Sequence, residues 1–204
     1  MYTVHFETLG CKLNQIETES AAQLFAAAGI AVTMGGASLD TLSDAQNETL
    51  SPLNLYPLNR LCIVNTCTVT GKAEQKARRL IRNLITRVPE ASVIVTGCYA
   101  ELEPAEIRSL GERVAVVPGS AKDTLAELPS VLEAAGASCA QPLPPEDFFS
   151  LLQSWTEQHS GATSSNTAVE GDRASSKSRF TLSTDDFIRH SRASVKIQDG
   201  CGNK

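Results

Sequence analysis

The chain has no long hydrophobic run. Nothing in its 204 residues approaches the length of apolar sequence that spans a bilayer, and the start, MYTVHFETLG, has no basic stretch leading into an apolar one. Both absences point to a cytoplasmic protein with no membrane partner. Basic charge is not in excess either: 18 Lys and Arg against 23 Asp and Glu leave a formal net charge of -5, which argues against a nucleic-acid footprint over the whole surface. The phosphate-binding loop of the nucleotide triphosphatases is missing, because Thr70-Gly71-Lys72 lacks the upstream glycine. In the cytoplasm thiols stay reduced, so the six cysteines, at positions 11, 62, 67, 98, 139 and 201, read as metal, cluster or core residues rather than a disulfide framework. The glycosylation pattern Asn47-Glu48-Thr49 has no meaning there.

What is present is a chain that is 42% hydrophobic, enough for one sizeable core and part of a second. YTVHFETL alternates like a strand and Gly10 breaks it. NQIETESAAQLFAAAGI places Ile16, Ala21, Leu24, Phe25 and Ala28 at helical spacing, with Gly29 as the stop. A short strand over 31–34 follows, and residues 35–59, rich in Gly, Ser, Asn and Pro, read as a long loop or insertion. The pattern then repeats as strand 61–66, helix 71–87, strand 92–96, helix about 104–110, strand 114–117 and helix 121–135. Strands alternating with helices at this spacing predict an α/β fold, an open, mostly parallel sheet with helices on both faces, over residues 1–138.

Residues 139–190 read as a linker or insertion, partly disordered. It holds QPLPPED, a short amphipathic helix in FFSLLQSWTEQ and the polar run SGATSSNTAVEGDRASSKS. RASVKIQDGCGNK turns strand-like again, so residues 191–204 look like the first strand of a second domain.

The two cysteines of RLCIVNTCTVT have different prospects. Cys62 lies inside a β-branched apolar run and reads as a small core hydrophobe; Cys67 follows Asn65 and Thr66, where the strand ends and a helix is about to begin. TLGCKLN and VTGCYA likewise present Cys11 and Cys98 just after strands. In a parallel sheet with right-handed crossovers the carboxyl ends of strands share one edge, so three thiols distant in sequence can converge there. Gly10 and Gly97 precede two of them and would let backbone approach a bulky group. Three thiolates suit an iron–sulfur cluster with one iron left open, or zinc with a fourth ligand elsewhere, or they coincide without function. Cys62 and Cys67 begin a plant-type ferredoxin spacing, but position 70 is Thr. Cys139 has no assigned role.

His5 in the first strand reads as a structural histidine, and His159 and His190 have no partner legible in the sequence. Lys72, Lys76, Arg79 and Arg82 are spaced along one face of the helix over 71–87, either a solvated face or a local contact for nucleic-acid phosphates.

TLGCKLNQIETE, IVNTCTVT and VTGCYA, followed by VKIQDGC, resemble the amino-terminal portion of the tRNA methylthiotransferases, radical S-adenosylmethionine enzymes. The wording TLGCKLNQIETE is most similar to the MtaB type, which acts on N6-threonylcarbamoyladenosine beside the anticodon. The resemblance implies that Cys11, Cys67 and Cys98 hold an auxiliary [4Fe–4S] cluster whose open iron presents sulfur to the product. It implies a second [4Fe–4S] cluster, on a C-x3-C-x2-C motif, that cleaves S-adenosylmethionine to a 5′-deoxyadenosyl radical, together with tRNA as partner and a sulfur donor. Cys201 matches the first cysteine of that motif, but Gly202, Asn203 and Lys204 end the sequence before a second. The resemblance therefore implies the opening strand of a truncated radical barrel, no catalytic residue in this stretch, and a polypeptide inactive alone. Two other classes fit the residues: a non-catalytic iron–sulfur or zinc-binding module, and a flavodoxin-like nucleotide binder that would leave the three thiols without a role.

Overall fold

The computed structural model describes residues 3–35, 59–68, 70–135 and 143–160. Five strands, β1 (Thr3–Thr8), β2 (Ala31–Met34), β3 (Asn59–Thr66), β4 (Ser92–Gly97) and β5 (Val114–Val116), form one sheet in the order β2-β1-β3-β4-β5. Every neighbouring pair is parallel. Parallel strands are covered on both faces and so carry near-continuous apolar runs. β4, SVIVTG, is buried at every position.

Alternate residues of each strand feed two cores. Val4, Phe6, Leu61, Ile63 and Ile94 face α1 (Lys12–Ala27), with Phe25 packed edge-on to Phe6 at a ring separation of 5.4 Å. Cys62, Val64, Val93 and Val95 face α2 (Gly71–Arg87), α3 (Cys98–Leu102) and α4 (Pro104–Arg108). This is the open α/β sheet with helices on both faces that the alternating pattern predicts.

Three elements differ from the sequence reading. The helix expected over 121–135 is a 3-10 segment, Gly119–Ala126, followed by α5 (Leu128–Ala134). Pro129, which lacks an N–H, sits at the start of α5, where the missing donor costs nothing, rather than inside one long helix. Cys98, expected just after the strand, is the first residue of α3, a short helix absent from the sequence pattern, and Pro104 then opens α4 as a separate helix. The short helix expected in FFSLLQSWTEQ is α6, Pro145–Ser160. Phe148, Leu152 and Trp155 of α6 are buried in the α1-side core, so packing onto the sheet continues past residue 138.

Among the described residues no helix is long and apolar enough to cross a membrane. Cys139, Cys201, His190, the polar run and the expected barrel strand over 191–204 lie outside the described residues.

Candidate metal centre

The order β2-β1-β3-β4-β5 fixes where a ligand can sit. The chain runs outward from β1 to β2 and then returns to the other side of β1 for β3, so the connections after β1 and β3 leave in opposite directions. In open α/β sheets such a switch point opens a crevice outside the carboxyl ends of the strands. Cys11 lies just beyond β1 and Cys67 just beyond β3, on the two sides of that crevice. Cys98 follows β4 directly, and the register pairs Thr8 with Asn65 and Thr66 with Gly97, so the three strand ends are level with one another. The sheet thus brings Cys11, Cys67 and Cys98 to one edge.

Backbone approach is close at both glycines. Gly10 has φ +122, and a Cβ there would strike the Cβ of Cys67 and lie 3.3 Å from its Sγ, so the Cys11 and Cys67 loops are in direct contact. Gly97 has φ +93 and ψ -164, a conformation essentially reserved for glycine. A Cβ at Gly97 would strike the Thr66 carbonyl and come within 2.6 Å of Asn65 Oδ1 and 2.8 Å of Thr66 N.

Two buried asparagines tie the loops together. Asn14 Nδ2 donates to the carbonyl oxygens of Leu9 and Thr66, each at 3.1 Å, bridging the segments that carry Cys11 and Cys67. Asn65 Nδ2 donates to Asn14 O at 3.1 Å and to Thr18 Oγ1 at 3.2 Å. Thr66 Oγ1 donates to Thr96 O at 2.6 Å and ties the ends of β3 and β4. On the α2 side, Thr68 Oγ1 donates to Glu74 Oε1 at 2.5 Å, and Thr70 caps α2 by accepting from Ala73 N at 3.2 Å. The half-buried Lys122 pairs with the buried Glu17 at 2.7 Å and joins the 3-10 segment to α1.

The sequence reading missed Asn14, Asn65 and Glu17. The available signal was that NQIETE puts polar residues where α1 enters the protein: Asn14, Glu17, Thr18 and Glu19 are all buried. A solvated helix face would carry such residues outward.

The thiols are unequal. Cys62 is fully buried in mid-strand, and burial, with a smaller contribution from Glu7, pushes its thiol from 9.0 up to about 12. It lies inside the sheet, paired across β3 with His5 of β1 and Val93 of β4, and not at the strand ends where the crevice opens. Cys67 is 6% exposed, Cys98 half-buried and Cys11 exposed, with its Sγ 3.7 Å from Asn14 Oδ1. Cys11 occupies the N-cap position of the 16-residue α1, where the dipole favours a negatively charged group.

Among the described residues, no three His, Cys, Asp or Glu side chains converge as one metal ion requires. A mononuclear zinc site draws its sulfurs to about 2.3 Å from a single centre. Ligands of an iron–sulfur cubane bind different irons and stand farther apart, with the inorganic core between them. Three thiols bordered by glycines at one sheet edge are a donor set of the kind an iron–sulfur cluster takes.

The histidines are structural in setting. His5 Nδ1 lies 2.8 Å from Thr33 Oγ1 and Nε2 3.1 Å from Glu7 Oε1, all on neighbouring strands. His159, partnerless in the sequence, has Nδ1 2.8 Å from Trp155 O and Nε2 3.7 Å from Glu127.

Residues 46–119 match the family described as uncharacterized protein family UPF0004. The chain is 38% identical over 233 residues to the threonylcarbamoyladenosine tRNA methylthiotransferase MtaB of Treponema pallidum, covering all of this chain and 45% of the relative. It is 30% identical over 205 residues to the protein of the same name from Bacillus subtilis, covering all of the chain and 34% of the relative. It is also 31% identical over 134 residues to the tRNA-2-methylthio-N(6)-dimethylallyladenosine synthase of Nitratidesulfovibrio vulgaris, over 64% of this chain and 25% of that protein. The chain spans less than half the length of each of these three relatives.

Proposed function

The chain belongs to the tRNA methylthiotransferase family, and on that premise we propose that it carries the auxiliary [4Fe–4S] site of an enzyme converting N6-threonylcarbamoyladenosine, next to the anticodon of tRNA, to its 2-methylthio derivative. What supports the reading is that Cys11, Cys67 and Cys98 each follow the carboxyl end of a strand, β1, β3 and β4, on the edge beside the switch point and away from the buried Cys62. Substrate and reaction follow the names of relatives that match across the whole chain. The reaction is assigned to the whole protein and not to this stretch alone, because the stretch covers under half of those relatives.

The cluster would be held by Cys11, Cys67 and Cys98, and when bound it supplies an open iron at which sulfur can be presented to the nucleoside. The chain's own residues do the positioning. Asn14 fixes the Cys11 and Cys67 loops by bonding a carbonyl on each, and Gly10 and Gly97 keep side-chain bulk out of the contacts between the strand ends. A second cluster, begun by Cys201, S-adenosylmethionine as methyl and radical source, and a sulfur donor complete the proposed chemistry.

The test is made in the organism's own tRNA. Nucleosides from cells whose gene carries Cys67→Ala are expected to lack 2-methylthio-N6-threonylcarbamoyladenosine, while Cys62→Ala cells retain it. Normal levels of the product in Cys67→Ala cells would overturn the reading.

A further inference from the structure

The solvent face of α2 is unlike the rest of this acidic chain. Lys72, Gln75, Lys76, Arg79, Arg82, Thr86 and Arg87 are exposed on it, and no carboxylate is among them. Glu74, the one acid in the helix, is turned to Thr68 at 2.5 Å. Of the helix cations, Arg78 is spent on Glu106 at 2.7 Å, and that carboxylate also accepts from Tyr99 at 2.7 Å. Arg82 stands at the border, close enough to help hold Glu106 ionised. No ion pair within 4.0 Å engages Lys72, Lys76 or Arg79 among the described residues.

Such a face has a cost. Lys72 and Lys76 are four residues apart and Lys76 and Arg79 three apart, so each is a like-charge neighbour of the next, worth about 0.2 to 0.5 kcal/mol of destabilisation per pair. Lys72 also sits in the first turn of the helix, where the dipole disfavours cations. Folding would be served better by interspersed acids, which leaves binding as the reason for the pattern.

The chemistry of the face selects among polyanions. Its opposite side, Ala77, Leu80, Ile81 and Leu84, is buried in the core, so α2 has no apolar side to lay into a lipid interface. It presents no aromatic or aliphatic anchor of the sort that centres a protein interface. Lys, Arg, Gln, Asn and Thr are the side chains that contact phosphate oxygens. Its location is also specific. Thr70, the N-cap, is three residues from Cys67, so the cationic stripe starts at the edge of the candidate cluster site and runs about 10 Å from Lys72 to Arg79.

We propose that Lys72, Lys76 and Arg79 grip the phosphate backbone of tRNA, holding it along α2 with the cysteine edge at one end of the contact. This rests on the tRNA methylthiotransferase reading for its choice of RNA. The measurement is the salt dependence of the 204-residue chain binding an unmodified tRNA transcript, for the wild type, for the triple variant Lys72→Gln, Lys76→Gln, Arg79→Gln, and for Arg108→Gln on α4 as a control. Glutamine keeps helix propensity and removes the like-charge pairs, so the triple variant retains its circular dichroism and melting temperature.

Each phosphate contact contributes about 0.7 to 0.9 to the slope of log affinity against log salt. The triple variant is expected to lose about 2 to 3 of that slope, which is about 20- to 40-fold of the weakening between 50 and 200 mM salt, with Arg108→Gln unchanged. An unchanged slope, no tRNA binding by the wild type at 50 mM salt, or binding to phosphatidylserine vesicles or an acidic protein in place of tRNA would each overturn the proposal. Iron content measured on the same preparations after anaerobic reconstitution separates the two ideas. Iron absent from the wild type with the slope difference intact refutes the cluster reading and leaves this surface standing.

Discussion

Replacing Gly97 by alanine tests whether the strand ends are packed as tightly as the structure has them. The backbone there, φ +93 and ψ -164, is a region other residues avoid at about 1 to 3 kcal/mol. The added methyl would meet main-chain atoms: it would strike the Thr66 carbonyl and stand 2.8 Å from Thr66 N. Main chain in a buried strand cannot swing aside, so overpacking adds about 1 to 3 kcal/mol. Any parting of β3 from β4 strains the Thr66 Oγ1 to Thr96 O bond of 2.6 Å, worth about 1 kcal/mol. The central expectation is a loss of about 4 kcal/mol, a melting temperature lower by about 8 to 16 °C for a chain of this size. Gly29 supplies the comparison, having φ +76 with nothing within 4 Å of an added Cβ. Gly29→Ala then bears only the conformational cost, about 1 to 2 kcal/mol. Thermal melts of the two variants by circular dichroism decide the matter. If Gly97→Ala melts no lower than Gly29→Ala, the close approach of β4 to β3 is not a feature of the protein in solution.

Three further outcomes are expected. Asn14→Ala leaves the Leu9 and Thr66 carbonyls without their shared donor and should cost about 2 kcal/mol in urea unfolding, while Asn14→Asp, which turns an acceptor toward both carbonyls, should cost at least as much. An Asp variant as stable as wild type would remove Asn14 from its bridging role. Cys62 keeps its proton in the folded state up to about 12, whereas the unfolded thiol loses it from 9.0. The unfolded state therefore binds fewer protons across that window, and stability should fall as pH rises above 9, by up to about 1.4 kcal/mol per pH unit, a slope that Cys62→Ala removes. Leu152→Ala should cost about 2 to 5 kcal/mol, because Leu152 is fully buried where α6 meets the sheet; a change under about 1 kcal/mol would mean α6 is not part of this core.

The fold was legible where local pattern and burial agree. β-branched runs such as Leu61 to Val64 and SVIVT are buried on both faces, and α2 appears with the bounds its spacing predicts because its caps and its apolar stripe coincide. The break at Pro129 was written in the sequence as well, but the apolar spacing on either side of it reads as one helix. α6 was legible as a helix, and its attachment was not, since Phe148, Leu152 and Trp155 are placed by a core assembled from distant strands. At the candidate site, the residue types at the strand ends separate Cys67 from Cys62. The strand order, by contrast, depends on crossovers that no local pattern encodes, and the roles of Asn14 and Asn65 depend on carbonyls of loops far away in sequence.

The central claim is that Cys11, Cys67 and Cys98 hold an iron–sulfur cluster. Its most direct test is the iron, sulfide and zinc content of the chain after anaerobic reconstitution, for wild type, Cys67→Ala and Cys62→Ala. The account predicts about four irons and four sulfides per chain, lost in Cys67→Ala and kept in Cys62→Ala. Zinc in place of iron, or iron indifferent to Cys67, would contradict it.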